Sequence, residues 1–108
     1  MTAIPQAIQS FITATNEAND TAFVNAFTPD AYLEDWGRVF SGHNGVASWN
    51  RSDNIGKQSH FDFVSIKDGS KSDEYIVTLK VTGGGYNGTS DMVMTIAGDK
   101  ISRLIISA

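Results

Sequence analysis

The residue with the clearest chemical potential is Asp35, which lies in the run 29–42, PDAYLEDWGRVFSG. Residues 31–36 alternate in polarity as a half-buried strand does, and this places Asp35 on the same face as Ala31 and Leu33. A carboxylate among apolar side chains is unfavourable unless it is paired, and its desolvation makes it a stronger base. The pattern therefore predicts a catalytic base at Asp35. An ion pair with Arg38, in which Asp35 has a structural role, remains the alternative.

A second carboxylate, Asp91, lies on the alternating run 86–97, in phase with Val93 and Thr95. If this face enters the same pocket, Val93 lines it and two carboxylates share one apolar space. Their proton affinities are then pushed apart, so that one acts as a base and the other as a neutral hydrogen-bond donor. The alternative is a solvent-exposed strand aspartate.

Arg38 and two tryptophans complete the candidate site. A guanidinium makes bidentate contacts to anions, so Arg38 is a candidate clamp for a substrate carboxylate or an enolate. Its alternative role is to pair with Asp35 or Glu34. Trp36 and Trp49 either line the pocket and stack on a flat ligand, or are ordinary core residues.

The remaining polar motifs favour structural roles. His60 is a candidate acid–base group in the substrate pocket, but its neighbour Asp62 makes a structural pair the alternative, and His43 is expected to be exposed. The two histidines lack ligand spacing and the chain has no cysteine, so we expect no metal site. The three glycines at 83–85 are not followed by a helix, which favours a strand bend over a phosphate loop.

The order of elements predicts one α+β domain over residues 1–108. Apolar spacings of three and four residues indicate helices over about 4–17, 19–27 and 44–56. Alternating runs and intervening turns then indicate strands, at 31–36, 38–42, 58–67, 73–82, 86–97 and 101–107. We expect an antiparallel sheet that the helices cover on one side.

Composition excludes several classes of partner. The chain has eight basic and 12 acidic residues, a net charge of -4, and no basic stripe, so we expect no nucleic-acid partner. No run reaches the roughly 20 apolar residues of a membrane span, and the N-terminal residues lack a basic region and an apolar core, so we expect a cytoplasmic protein without a membrane partner. A chain this short buries about two thirds of its surface, and a homodimer through the sheet would add to that burial.

The run FTPDAYLED at 27–35, preceded by NEAND, resembles the NTF2-like superfamily, which includes SnoaL-like polyketide cyclases and ketosteroid isomerases. The later run WGRVFSG and the following helix with a tryptophan look most like the bacterial SnoaL-like group. The resemblance implies three N-terminal helices packed in a curved antiparallel sheet, which forms a cone with an apolar pocket at its open end. It also implies dimers through the outer sheet face and no cofactor.

The resemblance to ketosteroid isomerases assigns roles to individual residues. The family's base aspartate matches Asp35 in the pair Glu34-Asp35. Its second, protonated aspartate matches Asp91 in DMVMTIAGDKISRL. That arrangement belongs to ketosteroid isomerase itself and comes here only through the resemblance. The tyrosine that completes the family's oxyanion hole matches Phe11, which has no hydroxyl, and this argues against steroid isomerisation.

Together these observations predict a cofactor-independent enzyme for a small hydrophobic carbonyl compound. Asp35 would remove or relay a proton beside the carbonyl, and Asp91 with Arg38 or Trp36 would stabilise the enolate. Substrate contacts are expected from an apolar and aromatic set, Phe11, Trp36, Trp49, His60 and Val93. Two alternatives stay open: water activation by the same Asp–Arg–Asp set, as in epoxide hydrolases of this superfamily, and a non-catalytic module for ligand binding or dimerisation.

Overall fold

Three α-helices and six β-strands form the part of the chain that the computed structural model describes, residues 3–107. The helices are α1 (Gln6–Asn16), α2 (Asp20–Asn25) and α3 (Gly42–Asp53), and a 3₁₀ turn, Ile55–Lys57, follows α3. The strands are β1 (Phe27–Asp35), β2 (Arg38–Ser41), β3 (His60–Asp68), β4 (Glu74–Thr82), β5 (Gly88–Ala97) and β6 (Lys100–Ile106). The predicted elements are all present, with bounds that shift by a few residues.

The helices begin where their sequences favour it. Pro5 precedes α1, where its missing N–H removes no helical hydrogen bond. Asn19 caps α2, and its Oδ1 accepts a hydrogen bond from the backbone N–H of Ala22 at 3.1 Å. α3 begins at Gly42, two residues before the Asn44 that was expected to cap it. Within residues 3–107, no helix is long and apolar enough to cross a membrane.

The sheet is mixed, and this corrects the prediction of an antiparallel sheet. Its strand order is β2-β1-β6-β5-β4-β3, and every neighbouring pair is antiparallel except β1 and β6. A parallel pair needs a long crossover between its strands, and here the segment from β2 to β5 supplies it. Because β1 and β6 run in the same direction, their last residues lie together, with Asp35 opposite Ile106.

The core lies between the helices and the inner sheet face. Phe11 of α1 is fully buried and its ring lies 5.3 Å from that of Phe23 and 5.3 Å from that of Phe61. Phe63 was expected to share the face of Phe61, but it is 42% exposed, and β3 shifts its register just after it. The helices therefore cover only the central and first part of β3, which leaves one end of the inner face open.

Candidate active site

A cleft of about 960 Å³ opens at the end of the sheet where β1 and β6 finish and β3 and β5 begin. Its apolar wall comes from four buried residues on neighbouring strands, Phe61, Val81, Met92 and Ile106. The last turn of α3 and the 3₁₀ turn close the opposite side with polar groups. The fold thus places an apolar wall against a charged one, as a site for a small organic molecule requires.

Asp35 is at the centre of the charged wall. It is the third inward residue of β1 after Ala31 and Leu33, which are 1% and 0% exposed, so the predicted alternation is confirmed. Its Oδ2 accepts two hydrogen bonds of 2.9 Å, from the indole Nε1 of Trp49 and from Nη2 of Arg38. The side chain is 15% exposed, and within residues 3–107 no donor reaches Oδ1. One oxygen of Asp35 is therefore held, while the other is available to the cleft.

Arg38 joins Asp35 to a second carboxylate, Asp53 at the end of α3. Its Nη2 donates to Oδ1 of Asp53 at 2.9 Å and its Nη1 to Oδ2 at 3.4 Å. Burial alone would raise the pKa of Asp53, but the hydrogen bonds from Arg38 and from the Ser52 hydroxyl outweigh it and lower that pKa below its ordinary 3.8. The hydrogen bond to Asp53 in turn raises the pKa of Arg38. Two carboxylates thus surround one guanidinium, and the group carries a net negative charge.

Asp91 does not share an apolar space with Asp35, and that expectation is corrected. Its side chain is exposed, and its carboxylate accepts a 2.7 Å hydrogen bond from the hydroxyl of Thr78, its cross-strand partner. The next residue, Met92, is buried, so alternation directs Asp91 to the outer face of the sheet. Asp91 therefore borders the cleft only at its rim.

Three further candidates lie outside the cleft. Phe11 is enclosed by the other core rings, and Val93 faces the outer side of β5 because Met92 and Met94 face inwards. His60 is exposed at the first residue of β3, and its Nε2 lies 3.3 Å from Oδ1 of Asp62. These three were expected to contact substrate, and their positions exclude direct contact in this cleft.

Both tryptophans line the cleft, but in different ways. Trp49 is 4% exposed and its ring lies 6.0 Å from that of Phe23, so it belongs to the core while its N–H holds Asp35. Trp36 is 60% exposed at the mouth. His43, expected to be exposed, is half-buried with Nε2 2.8 Å from the carbonyl oxygen of Phe27.

Some cleft residues did not emerge from the sequence. Asp53 could have been found, because it follows Trp49 by four residues and so shares its helix face. Ser90 also lines the cleft, one residue from Asp91 and in phase with buried Met92. Alternation alone could not identify it, because β5 carries apolar residues in both phases. Among residues 3–107, no three His, Asp or Glu side chains are placed to hold a metal ion.

Comparison with known proteins gives matches among solved structures alone. No family model matches the chain, and no curated protein does. A structure from Sinorhizobium meliloti, named as a candidate polyketide cyclase, is 24% identical, with a TM-score of 0.85 over 96% of this chain and 95% of that chain.

Two other structures extend the comparison to bound ligand and to chemistry. The epoxide hydrolase/cyclase-like enzyme SalBIII, of pyran ring formation in salinomycin, is 17% identical, with a TM-score of 0.80 over 94% of this chain and 87% of its own. Rv0760c of Mycobacterium tuberculosis, solved with estradiol-17β-hemisuccinate, is 12% identical, with a TM-score of 0.79 over 93% and 88% of the two chains. Other matches are described as NTF2-like and cystatin-fold proteins, and the chain therefore has the NTF2-like α+β fold that its sequence predicted.

Proposed function

We propose that this protein is a cofactor-independent enzyme that moves a proton beside the carbonyl group of a neutral, largely apolar small molecule. Asp35 is the base in this proposal. The observation that carries it is the asymmetric environment of the carboxylate, with Oδ2 held by Trp49 and Arg38 and Oδ1 open to a cleft of about 960 Å³. A base that is oriented on one side and free on the other is prepared for proton transfer.

The charges of the cleft favour a neutral substrate. Arg38 already contacts two carboxylates, so a substrate carboxylate would meet Asp35 and Asp53 as well as the guanidinium. The earlier hypothesis of Arg38 as a clamp for a carboxylate is therefore the weaker of its two proposed roles. A carbonyl oxygen carries negative charge only after proton removal, so Arg38 would favour the enolate over the ground state.

Donors for that enolate must come from groups other than Phe11 and Asp91. A guanidinium has five N–H donors, and the three hydrogen bonds to Asp35 and Asp53 leave Nε–H and one Nη1–H of Arg38 unused. The indole N–H of Trp36, also at the cleft, is a second source. We propose that these donors receive the developing negative charge.

A proton-exchange experiment tests the proposal without knowledge of the natural substrate. The protein is incubated in D₂O with 2-tetralone, a neutral bicyclic ketone, and NMR follows deuterium entry at the carbons beside the carbonyl. We expect acceleration by the wild-type protein and its loss by at least about 100-fold in Asp35→Asn. Unchanged exchange in a folded Asp35→Asn would remove Asp35 from the mechanism. No acceleration by the wild type with any of a panel of neutral ketones would favour the non-catalytic, ligand-binding alternative.

A second candidate function is water activation, as in an epoxide hydrolase. The observation that favours it is the bridging of Asp35 and Asp53 by one arginine, since Asp–Arg–Asp is the set that such chemistry needs. Here Asp35 would remove a proton from water as it attacks the epoxide carbon, and a donor at the cleft would protonate the departing oxygen. Incubation with indene oxide in H₂¹⁸O distinguishes the two functions, because hydrolysis places the label in a diol and proton transfer forms none.

A further inference from the structure

The turn that joins β1 to β2 carries a residue that its backbone does not favour. Trp36 and Gly37 form a two-residue hairpin turn with φ of 50° and 84°. Two positive values define a type I′ turn, for which asparagine, aspartate or glycine is preferred at the first position. A tryptophan there is strained, because its side chain crowds the left-handed backbone.

Packing does not compensate for that strain. The Trp36 side chain is 60% exposed, so burial of its ring contributes little to folding. The backbone N–H of Trp36 donates to the carbonyl of Ile106 at 2.9 Å, which fixes the turn against the end of β6. A strained residue with an exposed ring at a cleft indicates a functional constraint on that ring.

A second exposed ring borders the same cleft from a different element. Tyr86 is 50% exposed, and its hydroxyl donates to the carbonyl of Thr89 at 3.3 Å. Its loop is anchored, because the Asn87 amide bonds the backbone of Gly83, and the Gly84 N–H donates to the carbonyl of Lys57 at 2.7 Å. Tyr86 is thus a positioned ring and does not depend on a free loop.

The other large exposed apolar side chains, Val39, Phe63 and Val64, lie outside the cleft. Both exposed residues that border it are therefore the ring-bearing Trp36 and Tyr86. We propose that these two rings form an aromatic subsite that selects flat, uncharged ring compounds over non-planar compounds of the same size. The inference rests on the proposed function only in using the same cleft, and it specifies the substrate class. Flat rings gain contact and stacking on aromatic faces that puckered rings do not.

Binding of matched probes tests the subsite. ¹H–¹⁵N NMR titration measures the Kd of 2-naphthol (flat and neutral), decalin-2-ol (puckered and neutral) and 2-naphthoate (flat and anionic). We expect 2-naphthol to bind about tenfold more tightly than either of the others. Trp36→Asn removes the ring and gives the turn its preferred residue, so this variant should fold at least as well as the wild type. It should weaken 2-naphthol binding about tenfold, and leave decalin-2-ol binding unchanged.

Phe63→Ala is the matched control, because it removes an exposed ring outside the cleft, and its 2-naphthol binding should equal that of the wild type. Equal affinity for 2-naphthol and decalin-2-ol, no binding of 2-naphthol at millimolar concentration, or an unaffected Trp36→Asn would each overturn the subsite. These results are separate from the exchange assay: loss of exchange in Asp35→Asn with no flat-ring preference keeps the catalytic proposal and rejects the subsite. Flat-ring preference with normal exchange in Asp35→Asn does the reverse.

Discussion

Both hydrogen bonds that Asp35 accepts end on the same oxygen, Oδ2. The sequence presented two alternatives, a base in a pocket or a partner of Arg38, and the structure combines an ion pair with a cleft position. An ion pair that engages one oxygen does not prevent the other from accepting a proton. Instead, Trp49 and Arg38 restrict the rotation of the carboxylate, which is the role that supporting groups have in preorganised sites.

Trp49→Phe tests this positioning role. Phenylalanine keeps a ring against Phe23 but removes the N–H that holds Oδ2 of Asp35. We expect 2-tetralone exchange to fall about tenfold in kcat with little change in KM, the loss of one charge-assisted hydrogen bond. Thermal unfolding checks that the variant is folded. An unchanged kcat would show that Trp49 does not position the base.

Asp53→Asn tests the electrostatics of the same group. Because the pKa of Asp53 is lowered in the folded state, its ion pair stabilises the fold above the ordinary pKa of 3.8 and is lost as the pH falls through the lowered value. The wild type should therefore be more stable than Asp53→Asn at pH 6, by less than about 1 kcal/mol because Arg38 is half-exposed. Urea unfolding at pH 6 and at pH 2.5 measures this difference, which should shrink at the lower pH. A difference that does not depend on pH would contradict the ion-pair account.

At the scale of the elements, the parallel pairing of β1 and β6 determines where the site forms. It brings the ends of both strands to the same edge, beside the start of β5 and the end of α3. Along β5, a single step of alternation then separates a cleft residue from an outer one. Ser90 and Met92 face the cleft side, and Asp91 bonds Thr78 on the other face.

The contact between α1 and β3 depends on one side chain, that of Asn16. Its Nδ2 donates to the carbonyl of Phe61 at 2.9 Å, and its Oδ1 accepts from the Phe61 N–H at 2.7 Å, as a paired strand would. We expect Asn16→Ala to lower the free energy of unfolding by about 1–3 kcal/mol, because it leaves two backbone groups unpaired. Chemical denaturation measures this loss.

Asn44→Ala is the control, since Asn44 is exposed and its side chain makes no hydrogen bond within residues 3–107. Its stability should stay within about 0.5 kcal/mol of the wild type. Equal stability of the two variants would show that the Asn16 bridge does not hold α1 to β3.

At the scale of the whole molecule, the core and the site are separate, and Phe11 marks the boundary. The family resemblance places a catalytic tyrosine at this position, but Phe11 is fully buried among other rings and does not border the cleft. Phe11→Tyr should therefore bury a hydroxyl without a partner and destabilise the fold by about 1–3 kcal/mol. Thermal unfolding and the exchange assay together check this. An increased exchange rate would show that position 11 does reach the substrate.

Much of this architecture could be predicted from local patterns, because alternation and apolar spacing report which face of each element is buried. The strand face of Asp35 and the helices α1 and α2 were predicted in this way. The parallel β1–β6 pair could not be, since it joins residues about seventy positions apart and no local signal encodes it. Asp91 was misplaced because Val93 and Met92 are both apolar, so either phase could face inwards.

Two predictions about the whole molecule keep that standing. The outer sheet face, with half-buried Val93 and Ile105, remains the surface through which we expect a homodimer. A cytoplasmic location likewise stays a prediction from the sequence. Size-exclusion chromatography with light scattering measures the oligomeric state directly.

The most direct test of the account compares two aspartates that the sequence treated as a pair. The rate of 2-tetralone exchange in D₂O is measured for the wild type, Asp35→Asn and Asp91→Asn, each shown to be folded by its thermal unfolding curve. The account predicts a loss of at least about 100-fold in Asp35→Asn, and a rate equal to the wild type in Asp91→Asn, whose carboxylate bonds Thr78 on the outer face. An Asp35→Asn variant that exchanges as fast as the wild type, or an Asp91→Asn variant that loses as much, would contradict it.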